Sequence, residues 1–489
     1  MLFNSITFAL FLPIVFVLYW FVFQRNLKAQ NFFIVVASYV FYGWWDWRFL
    51  ILIILSSFCS WGCGLLIQRI DNMQITRSLL SRKFIVICDI VLNLGILGLF
   101  KYFNFFVENF ISAFASVGIH LQPHTLNIIL PVGISFYTFQ GLSYSIDIYK
   151  RKIEPTKDIV AFFAFIGFFP LLVAGPIERA KNLLPQFIDK RNFIYEKAVD
   201  GLRQILWGLF KKIVIADNCA TYVNYVFENY HDQTGSILLL GAIFFAFQIY
   251  CDFSGYSDIA IGTSRLFGIK AMRNFNYPYF SRDIAEFWRR WHISLTTWFR
   301  DYVYIPLGGS RVSKVKIIRN TFIIFLVSGF WHGANWTFIA WGAFHAVLFL
   351  PLILLDRNRK NTDTVADGKL LPSMKEILKM GLTFLLVLVG WVFFRANSIG
   401  QAFAYFEYIM NKSLFSLPLL KDMEMLTLQN VIFILCMLIV EWFGRKEQFG
   451  LEKIGTGWKP VYRYTMYYVI IFLTFIFSGK EQVFIYFQF

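Results

Sequence analysis

The sequence predicts an all-α polytopic membrane protein, with about ten transmembrane helices accompanied by re-entrant and interfacial helices. First, the composition is 57% hydrophobic and only 16% charged, whereas soluble domains are roughly 45–50% apolar and about 25% charged. Second, the mean hydropathy is +0.57. Third, several uncharged runs reach the ~20 residues that a helix needs to cross a hydrocarbon core of about 30 Å.

Candidate spans follow one another along the chain, and several are too long or too short for one simple crossing. They lie near residues 6–24, 31–45, 48–67, 84–106, 127–149, 159–175, 236–267, 317–355, 378–394, 429–441 and 464–479. The first span is expected to be retained, because it lacks the basic segment and the small-residue cleavage site of a signal peptide.

The formal net charge is +16, and the Lys and Arg residues cluster in the connections between apolar runs. This pattern is typical of positive cytoplasmic loops that face anionic lipid. Nucleic-acid binding is not expected, because basic and aromatic residues interleave within spans rather than in a soluble module. The six cysteines are scattered and lack the spacing of a metal site, so no metal is expected.

We expect a single integral membrane domain, residues 1–489. Residues 1–126 are predicted to form N-terminal scaffold helices, 127–350 a catalytic core, and 351–489 C-terminal scaffold helices. The core is distinguished by Gly, Pro, Asp, Arg and His inside apolar runs, which membranes tolerate only where protein buries them or a cavity hydrates them. The polar stretches between spans are too short for a folded extramembrane domain, so any soluble catalytic module must come from another protein.

The segment FWRRWHISLTTWFRDY (287–302) is amphipathic if it forms one helix. At about 100° per residue its aromatic residues share one face, and Arg289 and Arg300 lie on the opposite face. His292 lies at the edge of the apolar face. One interpretation is an interfacial aromatic-belt helix with snorkelling arginines. The other is a site in which the arginines contact an anionic cofactor and His292 faces inward.

The nonapeptide SGFWHGANW (328–336) places a titratable imidazole in an otherwise uncharged run. On a helix that starts at Arg319, His332 lies roughly 18–20 Å along the axis, near mid-bilayer depth. Asn335 and Trp336 would share its face, and the flanking glycines would leave room for a substrate or a neighbouring backbone. Such a histidine either hydrogen-bonds across helices or acts as a general base, and ionisable groups at this depth are functional hypotheses by default.

The other histidines are not predicted to take part in catalysis. His345 is expected to pack in the core, thirteen residues after His332. The remaining three are predicted to lie in loops: His120, His124 and His231.

Two aspartates, Asp252 and Asp258, lie inside an apolar run. One interpretation is structural, in which they pair with Arg265 or a nearby arginine. In the other they line the cavity together with Tyr256.

Taken together, these segments resemble the membrane-bound O-acyltransferase (MBOAT) family. The resemblance is carried by WRRWHISLTTWFRDYVYIPLGG and, further along, SGFWHGANWTFIAWG. Supporting matches are PVGISFYTFQ (131–140), FFPLLVAGPIER (168–179), YCDFSGYSDIAIG (250–262), GWVFFRA (390–396) and the terminal IYFQF. The similarity is to the bacterial branch of alginate and peptidoglycan O-acetyltransferase membrane subunits, and it extends over most of the chain.

The resemblance implies an MBOAT fold, a ring of membrane helices around a thinned centre with a central tunnel that meets at two histidines. By position, His332 corresponds to the family's essential histidine and His292 to its second polar partner. The donor would be cytoplasmic acetyl-CoA, as a substrate rather than a permanently bound cofactor. Acetyl would cross the bacterial cytoplasmic (inner) membrane for O-acetylation of an exported or cell-wall polysaccharide such as alginate. Relatives usually act with a separate extracytoplasmic esterase-like partner.

On this hypothesis His332, as general base, takes the proton from the acceptor hydroxyl or from a relay nucleophile on the partner, and coenzyme A leaves as a thiolate. General base catalysis supplies about 10²–10⁴-fold, so positioning both substrates in one tunnel must supply more. The candidates for stabilising the oxyanion are Asn335, the indole of Trp336 and His292. Arg289 and Arg300 are candidates for the coenzyme's phosphates.

Three alternatives remain open at the level of the sequence. One keeps the fold and transfers D-alanine from a carrier protein to teichoic acid. Another is a proton- or ion-coupled transporter, in which the two aspartates and the two histidines form an ion path, although no inverted repeat is visible. The third is a scaffold subunit whose histidines are inert, with the chemistry in the partner.

Overall fold

The computed structural model describes residues 1–73, 81–122, 126, 129–173, 175–479 and 482–487. Every regular element in this part of the chain is a helix, and none of the described residues forms a β-strand. The all-α prediction is therefore confirmed.

The described residues divide into two compact units, residues 1–201 with 260–272 and residues 202–259 with 273–489. The first unit contains α1 (Ile6–Val17), α2 (Leu27–Asp46), α3 (Leu50–Met73), α4 (Arg82–Leu97), α5 (Phe103–Ala115), α6 (Ile134–Tyr149), α7 (Ile159–Gly167), α8 (Phe169–Leu172), α9 (Ala180–Leu183) and α10 (Pro185–Ile188). Two helices contribute to both units: α11 (Tyr195–Leu209) and α13 (Gly235–Leu266).

The second unit contains the remaining helices. They are α12 (Asp217–Glu228), α14 (Ile284–Arg290), α15 (Ile293–Phe299), α16 (Lys314–His332), α17 (Trp336–Leu354), α18 (Met374–Arg395), α19 (Ile399–Ile409), α20 (Glu424–Phe443) and α21 (Pro460–Ile476). Short π-helical segments extend several helices: Leu18–Val22, Gly98–Tyr102, Phe210–Ala216 and Arg300–Tyr304. Short 3-10 turns occur at Trp47–Phe49, Tyr230–Asp232, Pro278–Phe280, Lys412–Phe415 and Ile485–Phe487.

Six helical stretches among the described residues are long and apolar enough to cross a membrane. They are Leu27–Met73, Arg82–Ala115, Gly235–Leu266, Trp336–Leu354, Met374–Arg395 and Glu424–Phe443. The longest consists of two helices, α2 and α3, because the backbone at Asp46 is extended (φ −158°, ψ 112°) before the turn at Trp47–Phe49. The apolar helices Ile6–Val22 and Pro460–Ile476 are shorter. The chain is thus a multi-pass membrane protein.

In the first unit, the buried guanidinium of Arg191 pairs with side chains of α2. Arg191 is buried, and its Nη2 donates to Oδ1 of Asn31 at 2.5 Å and to Oε1 of Gln30 at 3.1 Å. The guanidinium also lies over the ring of Tyr19, 5.6 Å from its centroid. Buried polar groups in apolar helices are expected to have such partners.

In the second unit, α16 and α17 form a tight hairpin. A Cβ atom at Gly329 would clash with the backbone carbonyl of Phe338, and one at Gly342 would clash with that of Phe325. Glycine is therefore required where the two backbones approach each other. The long apolar run predicted at 317–355 is this hairpin, with its apex at residues 333–335.

Candidate active site

His332 is the last residue of α16, at the apex of the hairpin. The helix ends there because Gly333 is extended (φ −170°, ψ 155°) and the side-chain oxygen of Asn335 caps α17 by accepting from the backbone N–H of Thr337 at 3.0 Å. The prediction that Asn335 and Trp336 share the helical face of His332 is therefore wrong. The amide of Asn335 also donates to the carbonyl of Asn397 at 3.2 Å, and the Trp336 side chain is exposed.

The His332 ring is buried among aromatic side chains. Its centroid lies 5.1 Å from that of Trp341, 5.3 Å from Phe394 and 5.5 Å from Tyr486. Only 3% of the residue is exposed, so any substrate must reach the imidazole through a cavity in the protein.

His292 interrupts the helix that the sequence predicts over 287–302. α14 ends at Arg290, and His292 adopts left-handed backbone angles (φ 44°, ψ 54°) before α15 begins. The reason is Asn274: its carbonyl accepts from the N–H of Ile293 at 2.8 Å, and its side chain accepts from the hydroxyl of Ser294 at 2.9 Å. Such a conformation costs a non-glycine residue about 1–3 kcal/mol, and strain of this kind clusters at functional sites.

The His292 imidazole is buried with 1% of its surface exposed, and neither ring nitrogen has a hydrogen-bond partner among the described residues. Its centroid lies 4.6 Å from Phe253, 5.9 Å from Trp331 and 6.1 Å from Tyr486. Burial lowers the pKa of His292 to about 3, so the ring is neutral at pH 7. A buried imidazole with open hydrogen-bonding positions can bind or polarise a ligand.

Tyr486 contacts both histidines, and sequence reasoning did not single it out. Its ring lies against His332 and His292, although the three residues come from separate parts of the chain. Burial raises the pKa of the phenol, which keeps it a hydrogen-bond donor. The only sequence signal was the terminal IYFQF, which the resemblance matched without assigning it a role.

The aspartates of α13 have lysine partners. The carboxylate of Asp252 pairs with Lys212 Nζ at 2.7 Å, and that of Asp258 pairs with Lys211 Nζ at 2.6 Å. The predicted pairing with Arg265 is wrong, because Arg265 lies two turns beyond Asp258, about 10 Å further along the helix, and pairs with Asp200.

Tyr256, the third residue predicted in this region, packs against Phe484 with ring centroids 4.4 Å apart. The ammonium of Lys212 lies 5.6 Å from the centroid of its ring. Tyr256 therefore contacts the C-terminal segment that carries Tyr486.

A basic cavity of about 520 Å³ lies beside α14, α15 and the base of the hairpin. It is lined by Ala285, Trp288, Arg289, Ile293, Thr296, Thr297, Arg300, Tyr304, Ser310, Thr321, Ile324, Phe325, Phe349, Asn358 and Arg359. The structure thus brings Arg289 and Arg300 to one cavity despite the break at His292. Arg359 is a third arginine there that sequence reasoning missed, because it lies in a polar loop that the periodicity does not place.

The predicted arginines of the basic cavity are already partly engaged. Arg289 donates to the carbonyls of Asn358 and Asn361, both at 2.7 Å, which fixes the loop after α17. Arg300 donates through Nε to Asp301 at 2.8 Å. Their remaining N–H groups are available to an anionic ligand.

An amide cavity of about 450 Å³ lies at the apex of the same hairpin. It is lined by Asn224, Gln248, Gly333, Ala334, Asn335, Thr337, Phe338, Phe394, Arg395, Ala396, Asn397 and Ile485. Amide and hydroxyl side chains, with one arginine, suit a ligand rich in hydroxyl groups.

Aromatic rings lie between the two cavities and contact His332. Trp288 of the basic cavity lies 5.5 Å from Trp341, which contacts His332. On the other side, Phe394 lines the amide cavity and also contacts His332. The histidine pair therefore lies between the basic cavity and the amide cavity.

The remaining histidines lie elsewhere. His345 is fully buried among Trp288, Trp341 and Phe287. His231 is in a 3-10 turn near the hydroxyl of Tyr408, and His120 is in an exposed loop. His124 lies outside the described residues. Among the described residues, His, Cys, Asp and Glu side chains form no cluster of three suited to a metal ion.

The fold and the site define a multi-pass helical membrane protein with two buried histidines from separate segments, placed between two cavities. The chain belongs to the membrane-bound O-acyltransferase family, whose model matches residues 153–393. It is therefore an O-acyltransferase.

Two groups of curated relatives are similar over most of their length. The chain is 38% identical to a probable alginate O-acetylase, AlgI, of Pseudomonas aeruginosa, over 91% of this chain and 82% of that protein. It is 33% identical to the peptidoglycan O-acetyltransferase of Helicobacter pylori, over 100% of this chain and 98% of that protein. It is 31% identical to the teichoic acid D-alanyltransferase of Bacillus subtilis, over 56% of this chain and 71% of that protein.

Proposed function

We propose that the chain takes an acetyl group from cytoplasmic acetyl-CoA and transfers it, at His332 and His292, for O-acetylation of an exported or cell-wall polysaccharide. The observation that supports this most is the position of the two histidines against one tyrosine, between the basic cavity and the amide cavity. The two cavities offer separate places for a polyanionic donor and a hydroxyl-bearing acceptor.

The distribution of positive charge supports an orientation in which the base of the α16–α17 hairpin faces the cytoplasm. The base of the α16–α17 hairpin is flanked by the Lys/Arg clusters at 311–319 and 357–360, and cytoplasmic loops carry such excess positive charge. The basic cavity then opens toward the cytoplasm, where its arginines would bind the coenzyme's phosphates. The amide cavity lies at the opposite end of the hairpin, toward the exterior.

The proposed acetyl transfer begins with removal of a proton by His332. The acceptor O–H gives its proton to the imidazole of His332 while its oxygen attacks the acetyl carbonyl. The tetrahedral intermediate then collapses, the C–S bond breaks, and the coenzyme thiolate takes the proton from His332. We propose that a neutral donor stabilises the oxyanion, with the N–H of His292 and the phenol of Tyr486 as the two candidates. Asn335, by contrast, already donates its amide to Asn397.

The acceptor, the partner protein and the cellular location are proposed from the relatives. These relatives are a probable alginate O-acetylase and a peptidoglycan O-acetyltransferase, so we propose alginate, another exopolysaccharide or peptidoglycan as the acceptor. An extracytoplasmic esterase-like partner would receive the acetyl group or present the polymer. The location is the bacterial inner membrane, with about ten crossings around a central tunnel, and residues 1–126 and 351–489 act as scaffold around the core.

The alternative is D-alanyl transfer to teichoic acid, since D-alanyltransferases also match. We favour acetyl transfer because the O-acetyltransferase relatives match nearly the whole chain. Membership in an O-acyltransferase family leaves the transporter hypothesis without support.

The test uses the full chain in purified membranes with radiolabelled acetyl-CoA, a candidate polysaccharide and a candidate extracytoplasmic esterase-like partner. Label is expected in the polysaccharide and should be lost with His332→Ala. Label that enters only from a D-alanyl-charged carrier protein would overturn the donor assignment. Undiminished transfer in the His332→Ala variant would overturn the general-base assignment.

A further inference from the structure

Two adjacent lysines, Lys211 and Lys212, are buried in the π-helical segment Phe210–Ala216. Their ammonium groups contact different partners. Lys211 contacts Asp258 of α13 and, at 3.8 Å, Glu441 of α20. Lys212 contacts a second cluster of residues, which includes the C-terminal segment.

The Lys212 ammonium joins three acceptors. It lies 2.7 Å from a carboxylate oxygen of Asp217, 2.7 Å from one of Asp252, and 3.1 Å from the carbonyl of Gln482. These side chains are almost completely buried, with 1% of Lys212 exposed and 4% of each aspartate. Burial opposes the charge on Lys212, but the two aspartates outweigh it and raise its pKa, so the ammonium persists.

Asp252 holds the C-terminal segment directly. Its second carboxylate oxygen accepts from the backbone N–H of Ile485 at 2.7 Å. One carboxylate therefore connects the buried lysine to a backbone group 233 residues away in the sequence. A charged acceptor makes this bond stronger than an ordinary amide–carbonyl bond.

Segment 482–487 inserts into the second unit as a result. Phe484 and Ile485 are buried, and Phe484 packs on Tyr256. The ring of Tyr486 lies 4.4 Å from that of Phe253 and contacts both histidines. The hydrogen bond at Ile485 is adjacent to Tyr486, so it restrains the backbone that carries that ring.

We propose that Lys212 and Asp252 are positioning residues of the active site, which seat segment 482–487 so that Tyr486 lies between His292 and His332. The C-terminal segment is then a wall of the active site, and the ion pair acts through it without touching substrate. This inference deepens the proposed function and rests on it for its catalytic consequence, whereas its structural part stands by itself.

The neighbouring cluster supplies a matched control. Glu441 is as deeply buried as Asp252, and it accepts from the hydroxyl of Tyr250 at 2.8 Å. None of the contacts described for Glu441 reaches segment 482–487. Glu441→Gln should therefore disturb a buried ionic network without releasing the C-terminal segment.

Hydrogen exchange on the purified full-length protein measures how firmly segment 482–487 is held in place. In Asp252→Ala the amides of 482–487 should exchange about tenfold faster or more, as expected for loss of one hydrogen bond to a charged group. Asp252→Asn keeps an oxygen for the Ile485 N–H and should fall between the alanine variant and wild type. Glu441→Gln should leave the segment protected.

The kinetic readout separates positioning from stability. Asp252→Ala should lower kcat about tenfold or more, because misplacing a group by about 1 Å can cost 10²-fold, while KM for acetyl-CoA stays within about twofold. Lys212→Gln should behave in the same direction, and it replaces the alanine variant if that variant does not fold.

Two outcomes would overturn the inference. The first is that the amides of segment 482–487 stay as protected from hydrogen exchange in Asp252→Ala and Lys212→Gln as in wild type. The second is that Glu441→Gln releases segment 482–487 to the same extent as those variants do, which would show a general loss of stability. If wild type transfers no acetyl group, the proposed function fails, while the exchange measurement still decides whether the pair seats the segment.

Discussion

The two cavities at the ends of the α16–α17 hairpin differ in the kind of polarity they present. The basic cavity is lined by three arginines, Arg289, Arg300 and Arg359, around an apolar interior. The amide cavity has Asn, Gln and Thr side chains with a single arginine, Arg395. One hairpin thus carries a site suited to phosphates at its base and a site suited to hydroxyl groups at its apex. On the proposed function, the donor would bind at the base and the acceptor at the apex.

The largest effect is expected at His332, which lies between the two cavities. His332→Ala should lower kcat by about 10²–10⁴-fold, the typical contribution of a general base, with both KM values little changed. Acetyl transfer under saturating donor measures this. His345→Gln is the matched control, because His345 is equally buried on the adjacent helix, and it should lower thermal stability more than kcat.

At the apex, Gln248→Met should raise KM for the acceptor. The side-chain oxygen of Gln248 has no hydrogen-bond partner among the described residues, and it lines the amide cavity. Loss of one hydrogen bond to a ligand predicts about a five- to tenfold rise in KM. Initial rates at varied acceptor concentration test this, and an equal rise in KM for acetyl-CoA would contradict the separation of the two cavities.

At the base, Arg300→Gln should raise KM for acetyl-CoA by about two- to fivefold, because a partly exposed charge contributes only about 0.2–1 kcal/mol. The effect should shrink as salt screens the interaction. Arg357→Gln removes a neighbouring arginine that is not among the residues lining the cavity, and it should leave KM unchanged. A change in acceptor KM with Arg300→Gln would count against the assignment.

A separate effect concerns protein stability rather than kinetics, and it arises at the buried ring of His292. Because its pKa in the folded protein is about 3, below the ordinary value of about 6.5, the unfolded state binds a proton first as pH falls. The stability from the neutral ring is complete above pH ~6.5 and decreases below it, by about 2 kcal/mol at pH 5. Thermal unfolding of His292→Gln should therefore depend less on pH between 6.5 and 5 than that of wild type.

Some features of the site were visible in local patterns. The arginine stripe of 287–302 predicted Arg289 and Arg300 on one face, and both line one cavity although they lie on either side of the break at His292. The break at His292 was not predictable, because its cause is Asn274, which replaces the expected helical partner of Ile293. The lysine partners of Asp252 and Asp258 were missed because ion pairing depends on which helices pack against α13.

By itself, the sequence determined the all-α membrane class, the two histidine-bearing segments and the concentration of positive charge in the loops. These properties follow from composition and from periodicity over a few turns. Only the tertiary structure decided that Tyr486 lies against both histidines, that the long run at 317–355 turns back on itself, and that the two cavities occupy opposite ends of that hairpin. The physical reason is that each depends on contacts between residues far apart in the chain, such as Asp252 and Ile485, which no local pattern specifies.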